Sequence, residues 1–186
     1  MDKNSHTDHQ LMSGLAQGQL SALDCLIDRY QQRVFALAYR VLGDWHSAED
    51  VAQETFIRLY NAAPRYRPDA KLITFLYPIV LNLCRDIQRK VGHITQSEMP
   101  LESISDSDSP ESTAIKNENA NTVAQAVYAL PQRQKTALLL HRFDGLSYSE
   151  VARIMNISQS AAESLLVRAY ASLRQSLAKI KDFNAG

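Results

Sequence analysis

The stretch Ser147-Tyr148-Ser149-Glu150-Val151-Ala152-Arg153-Ile154-Met155-Asn156-Ile157-Ser158-Gln159-Ser160-Ala161-Ala162-Glu163-Ser164-Leu165 decides the fold. It opens on a Ser-x-x-Glu spacing, in which hydroxyl and carboxylate can each serve a backbone N–H orphaned at a helix start. The helix that begins there runs through Met155, Asn156-Ile157-Ser158 makes a turn, and a second helix follows from about Gln159. Val151, Ala152, Met155, Ile157, Ala162 and Leu165 fall where two helices joined by a short turn need apolar contacts. Such a pair is a helix-turn-helix, whose second helix enters the major groove of DNA with its first residues meeting base edges. That assigns Gln159, Ser160, Ala161, Glu163 and Ser164 to the groove, and Arg168 and Arg174 to phosphates farther along. A helical hairpin that merely packs would carry the same apolar spacing.

The flanking sequence is helical too. Pro131 suits the first turn of a helix whose core face includes Leu138, Leu139 and Phe143 and which stops at Gly145. Beyond the turn, Ala162, Leu165, Leu166, Ala169 and Leu173 point inward. Nearer the N-terminus, Leu20, Leu23, Leu26 or Ile27, Tyr30, Val34, Leu37 and Val41 recur at three- or four-residue steps, predicting one amphipathic helix from Gln19 to Leu42 with Gly43 as its stop. A second helix begins near Ser47, whose spacing to Asp50 resembles a capping box; it turns Val51, Ala52, Thr55, Phe56 and Leu59 inward and closes at Pro64. A third, from Lys71 to about Lys90, carries Leu72, Phe75, Leu76, Ile79, Leu83 and Ile87, with Pro78 expected to kink it. No alternating pattern flanked by turn residues competes, so the fold class is all-α.

Charge divides the chain. Residues 1–91 carry a net +1, residues 92–119 a net −5, and residues 120–186 a net +4. The middle segment holds six serines and two prolines without an apolar period, and reads as a flexible acidic linker between two small helical domains. Composition alone leaves open whether it is a solvated loop or an imitation of nucleic acid in a basic channel.

The 186 residues, 45% of them hydrophobic, can bury a core, and 20 basic residues balance 20 acidic ones, which excludes a polyelectrolyte or a chain disordered throughout. No apolar run approaches a membrane span and no signal core opens the chain, so a cytoplasmic protein without membrane insertion is expected. Cys25 and Cys84 are far apart and sit in apolar helical patterns, where they read as core; no metal or other cofactor is expected. Neither a phosphate loop nor a nucleophile–base string occurs, so no catalytic residue and no small-molecule substrate is expected.

At this point a family resemblance enters. Leu130-Pro131-Gln132-Arg133-Gln134, Gly145-Leu146-Ser147-Tyr148-Ser149-Glu150-Val151-Ala152 and Arg168-Ala169 resemble the fourth conserved region of bacterial sigma factors. Ala48-Glu49-Asp50-Val51-Ala52-Gln53-Glu54-Thr55-Phe56-Ile57-Arg58-Leu59 is similar to the polymerase-binding helix of the second region. Phe75-Leu76-Tyr77 and Asn82-Leu83-Cys84-Arg85-Asp86 are similar to its promoter-melting helix. Both regions in order, without the intervening domain, resemble the extracytoplasmic-function (ECF) branch.

The resemblance implies core RNA polymerase and promoter DNA, both duplex and single-stranded, as partners, together with an anti-sigma factor. It implies that Asp50, Gln53, Glu54, Ile57 and Arg58 meet the β′ clamp coiled coil. Four of these, at i, i+3, i+4 and i+7, make one stripe along a helix. It further implies that Arg65, Tyr66, Arg67, Lys71, Tyr77, Asn82, Arg85, Arg89 and Lys90 hold the minus-ten strand; amphipathic packing is the competing reading of both tyrosines. The C-terminal domain would read the minus-thirty-five element and hold the polymerase β-flap, with the linker passing through the polymerase interior. Phe75 stands where the family commonly has Trp, and Pro78 replaces a frequent polar residue. Glu163 either accepts from cytosine N4 or reaches back to a Ser160 cap. The main rival is a helix-turn-helix regulator that binds DNA without polymerase, and a second is a helical adaptor that binds no DNA.

Overall fold

The computed structural model describes residues 6–91 and 122–184, and among them all regular structure is helical. The chain forms two compact units divided between Glu98 and Met99. The expected acidic linker, 92–119, lies outside the described residues.

The first unit opens on α1, Asp8–Ala16, which the sequence reading left open. Thr7 caps it: the Gln10 N–H donates to Thr7 Oγ1 at 3.3 Å, and the Thr7 N–H donates to Gln10 Oε1 at 2.8 Å. Its buried side, Leu11, Met12 and Leu15, packs on α2 and on a 3-10 turn, Ala63–Arg65. Helix α2, Leu20–Leu42, ends at Gly43, whose φ of 75° suits a residue without Cβ. Its Leu26, Tyr30, Val34, Leu37 and Val41 are buried, as the spacing predicts; Leu20 is exposed and Leu23 half-buried.

Helix α3, Trp45–Ala62, begins two residues before the expected start. Gly43 leaves Asp44 extended, and the Asp44 carboxylate accepts from the Ser47 N–H at 2.8 Å, so Asp44 is the cap and the Ser47–Asp50 spacing is not used. The Ser47 hydrogen bonds hold the Asp44 carboxyl below its ordinary pKa. Phe35, Tyr39 and Trp45 join α2 to α3, with the Phe35 and Trp45 rings edge to face at 4.5 Å.

Helix α4, Ile73–Val91, is unbroken across Pro78, whose nitrogen has no hydrogen for the Thr74 carbonyl. Its buried face is rotated from the expected one. Leu72, Ile73, Leu76, Tyr77, Val80 and Cys84 are buried, whereas Phe75, Ile79, Leu83 and Ile87 are half-buried. The first half of the helix, Ile73 to Leu81, is apolar on most sides, so there the packing on α2 and α3 sets the angle, not the period. Burial pushes the Cys84 thiol up to about 12, as befits a core position; Cys25 is half-buried.

In the second unit a short helix, α5, covers 122–128, and α6, Gln132–Leu138, follows Pro131. The chain then widens into a π-type turn, Leu139–Phe143, before Gly145 at φ 66°. Here the expected core residue Phe143 is 52% exposed. The wider turn buries Leu138, Leu139 and Leu140 in succession and carries the next side chains off the 3.6-residue face. Helix α7, Tyr148–Met155, starts at the Ser147–Glu150 capping box and stops at left-handed Asn156, φ 51°. Helix α8, Gln159–Asn184, follows, and its Ala162, Leu166 and Ala169 are buried with Val151, Ala152 and Ile154 of α7, while Leu165 and Leu173 are half-buried.

Candidate functional site

Three surfaces emerge from these helices. The first is on α3. Asp50, Gln53, Ile57 and Arg58 are exposed and Glu54 is half-buried, while Val51, Thr55, Phe56 and Leu59 form the core side. Glu54 Oε1 accepts from Arg58 Nε at 2.8 Å, a surface pair worth roughly 0.3–0.5 kcal/mol and therefore easily opened by a partner. Beside the stripe runs an apolar groove of 540 Å³ between α2 and α3, lined by Leu20, Leu23, Ile27, Phe56, Ile57 and Tyr60 among others. Leu20, Ile57 and Tyr60 are exposed at its edges, so the groove opens to solvent. Sequence reasoning had turned Leu20 and Leu23 to the core, whereas the structure leaves Leu20 exposed and Leu23 half-buried.

The second surface is the turn before α4 and that helix's outer face. Arg65, Arg67 and Lys71 are exposed. Tyr66 is half-buried, its ring edge to face with Phe75 at 5.4 Å. Burial first, then the charges of Asp8 and Asp69, hold the Tyr66 hydroxyl above its ordinary pKa. Asn82, Arg85, Arg89 and Lys90 are exposed, Arg85 donating to Asn82 Oδ1 at 3.0 Å and Arg89 to Asp86 at 3.2 Å. Tyr77 departs from this group: it is 0% exposed, a core residue between its neighbours Leu76 and Val80, and offers a strand no stacking face in this fold.

The third surface is the start of α8. Gln159, Ser160, Ser164 and Arg168 are exposed, Ala161 and Glu163 half-buried. The cap is Ser158, not Ser160: the Ala161 N–H donates to Ser158 Oγ at 3.2 Å. Glu163 instead accepts from Gln159 Nε2 at 3.0 Å, so the proposed reach back to a Ser160 cap is not made. The carboxylate can present its remaining lone pairs to a base-edge donor such as cytosine N4. Ser164 Oγ donates to the Ser160 carbonyl and Arg168 Nε to that of Ser164. Arg133 and Gln134, which sequence reasoning had not placed in the interface, line a 680 Å³ cleft with Ser160, Ser164 and Arg168. Arg174 is exposed but lies about 22 Å along the axis from Gln159, farther than the groove is wide.

Among the described residues no cluster of His, Cys, Asp and Glu could hold a metal ion, and no helix is long and apolar enough to cross a membrane.

Comparison with known proteins accounts for both units. Residues 26–93 match sigma-70 region 2, and residues 120–173 match sigma-70 region 4. The RNA polymerase sigma-H factor of Pseudomonas aeruginosa is 31% identical over 183 residues, which span 91% of this chain and 93% of that protein. The ECF RNA polymerase sigma factor SigW of Bacillus subtilis is 32% identical over 171 residues, spanning 87% and 91%. Among solved structures, CnrH in complex with the cytosolic domain of CnrY is similar with a TM-score of 0.70 at 26% identity, covering 92% of this chain and 97% of that one.

Proposed function

Because the chain belongs to the sigma-70 family of RNA polymerase sigma factors, in its ECF branch, we propose that its two helical units divide the family's work between them. The protein is a transcription initiation factor, not an enzyme: it directs core RNA polymerase to promoters and aids their melting. The α3 stripe and the apolar groove beside it take the β′ clamp coiled coil. The basic turn, with Asn82, Arg85, Arg89 and Lys90, holds the minus-ten strand; cations there neutralise phosphates, and the Tyr66–Phe75 ring pair offers a surface against which an unstacked base can settle. The first turns of α8 read the minus-thirty-five duplex, Gln159, Ser160 and Glu163 at base edges and Arg168 at phosphate, and the same unit also holds the β-flap.

The acidic segment 92–119 connects the two in sequence. Its net charge of −5 suits the basic polymerase interior through which promoter DNA passes. A protein that acts on polymerase and promoter DNA does so in the cytoplasm. CnrH is in complex with the cytosolic domain of CnrY; in this chain an anti-sigma factor would cover the groove on α2 and α3 and so block polymerase.

The observation that carries the reading is the exposed apolar groove on one unit together with an exposed polar recognition helix on the other. Its test replaces Gln159, Ser160 and Ser164 by alanine. These exposed side chains carry no core, so the variant folds and assembles with polymerase, but transcripts from selected promoters are lost or moved. Unchanged promoter choice would refute the assignment and favour an adaptor that binds no DNA.

A further inference from the structure

Nothing in the functions assigned so far uses α1, yet the helix is held by more polar bonds than its length requires. Asp8 Oδ1 accepts from Arg29 Nη1 at 2.6 Å and Asp8 Oδ2 from the Tyr30 hydroxyl at 2.5 Å. Arg29 Nη2 also donates to the His6 carbonyl at 2.9 Å. Arg29 and Asp8 are both about three-quarters shielded from solvent, which makes this a partly desolvated, charge-assisted bond of the stronger kind. The helix also meets the 3-10 turn Ala63–Arg65, which carries Arg65 and leads into Tyr66 and Arg67. The Asp8 charge is felt at Tyr66 itself. A short helix is thus bonded at its N-terminal end to α2, while its body packs on both α2 and the turn assigned to the displaced strand.

We infer that Asp8 is a positioning residue for strand capture: through Arg29 and Tyr30 it locks α1 against α2, and α1 in turn holds the turn 63–67 in the shape that presents Arg65, Tyr66 and Arg67 to single-stranded DNA. The inference rests on the strand-binding reading of that turn. Isolated nine-residue helices are unstable in water, so α1 stays in place only while it is docked. Once the lock is lost, the turn retains its Tyr66 N–H bond to the Ala63 carbonyl, at 3.2 Å, but loses the surface behind it. A loop that must be ordered at the moment of binding weakens affinity by the fraction of time it is misplaced.

The test uses holoenzyme reconstituted from core polymerase and the full chain, with parent, Asp8→Ala and the reversed pair Asp8→Arg with Arg29→Asp. Three quantities are read: affinity for core polymerase, affinity for a single-stranded oligonucleotide carrying the non-template minus-ten sequence of a promoter the holoenzyme selects, and amide exchange over 63–67. For Asp8→Ala the expected result is polymerase affinity within about twofold of the parent, strand affinity down about tenfold, and faster exchange in the turn. The reversed pair should recover strand affinity to within about threefold; because it lacks the Tyr30 bond, recovery is incomplete. Strand affinity unchanged in Asp8→Ala despite faster exchange would overturn the inference, as would equal losses of polymerase and strand binding, which mark general unfolding. If Arg65→Ala and Arg67→Ala also leave strand affinity unchanged, the strand-binding reading of the turn is what fails.

Discussion

Ile57 separates function from fold more cleanly than any other residue of α3. It is 54% exposed in the free chain, one residue from Phe56, which is buried. Burying an isoleucine fully is worth roughly 1.5–3 kcal/mol, and about half of that remains to be gained when a partner covers the groove. Ile57→Ala should therefore weaken polymerase binding by about 1 kcal/mol, or about fivefold, without lowering the stability of the unit. Ile57→Glu adds a carboxylate to an apolar contact already flanked by Asp50 and Glu54, and the loss should exceed about a hundredfold because the charge must be desolvated without a partner. Competition against a labelled sigma factor for limiting core polymerase measures both values. Thermal unfolding followed through Trp45, the chain's one tryptophan, reports stability in the same samples. Phe56→Ala gives the contrast, a loss of roughly 3–5 kcal/mol from the fold itself. If Ile57→Glu assembled with polymerase like the parent, the α2–α3 groove would not be the polymerase face.

Three further outcomes are expected. Ser147→Ala removes the side-chain acceptor for the Glu150 N–H and should cost the second unit about 1 kcal/mol in denaturant unfolding, with Glu150→Ala costing a similar amount. The Cys84 thiol ionises near 9.0 when unfolded and is pushed up to about 12 when folded, so only the unfolded state releases that proton as pH rises between those values. Stability is then lost across that window by up to about 1.4 kcal/mol per pH unit, and the slope for Cys84→Ala should be shallower by about one proton, the alkaline contribution of buried Tyr30 being common to both. Arg168→Ala should weaken minus-thirty-five binding about equally on all promoters and reduce the salt slope of holoenzyme binding by about one; a change at a single base position would show that Arg168 reads sequence.

What the sequence made legible, and what it did not, follows the range of the forces involved. The Ser147–Glu150 box and the Gly43 and Gly145 stops are local, set by hydrogen bonds within a few residues, and each appears where the spacing puts it. The long α2 stripe was legible because Leu26, Val34 and Leu37 all face one core. Position failed where a nearer donor or acceptor competed, as when Asp44 displaced Ser47 as the cap. Facing failed in the first half of α4, which is apolar on most sides: packing on α2 and α3 drew Tyr77 inward and left Phe75 half-buried against Tyr66. Helix α1 is short, with only Leu11, Met12 and Leu15 buried behind its Thr7–Gln10 box, and it is bonded to Arg29 and Tyr30, 21 and 22 residues away, which no local spacing announces. Of the candidate site, the helical period placed Asp50, Gln53 and Ile57 along one exposed stripe of α3 and Gln159, Ser160 and Ser164 on the exposed start of α8. The groove at Leu20 and Ile27 was not legible, because it arises only when two helices pack.

The most direct test of the account is whether this chain alone confers promoter choice on polymerase. Core RNA polymerase freed of every other specificity subunit should co-purify with the protein and, offered a library of random promoter fragments, start transcripts from a subset sharing one upstream and one minus-ten element. Binding of the purified protein to duplex DNA without polymerase, with no specific transcripts from the mixture, would contradict it.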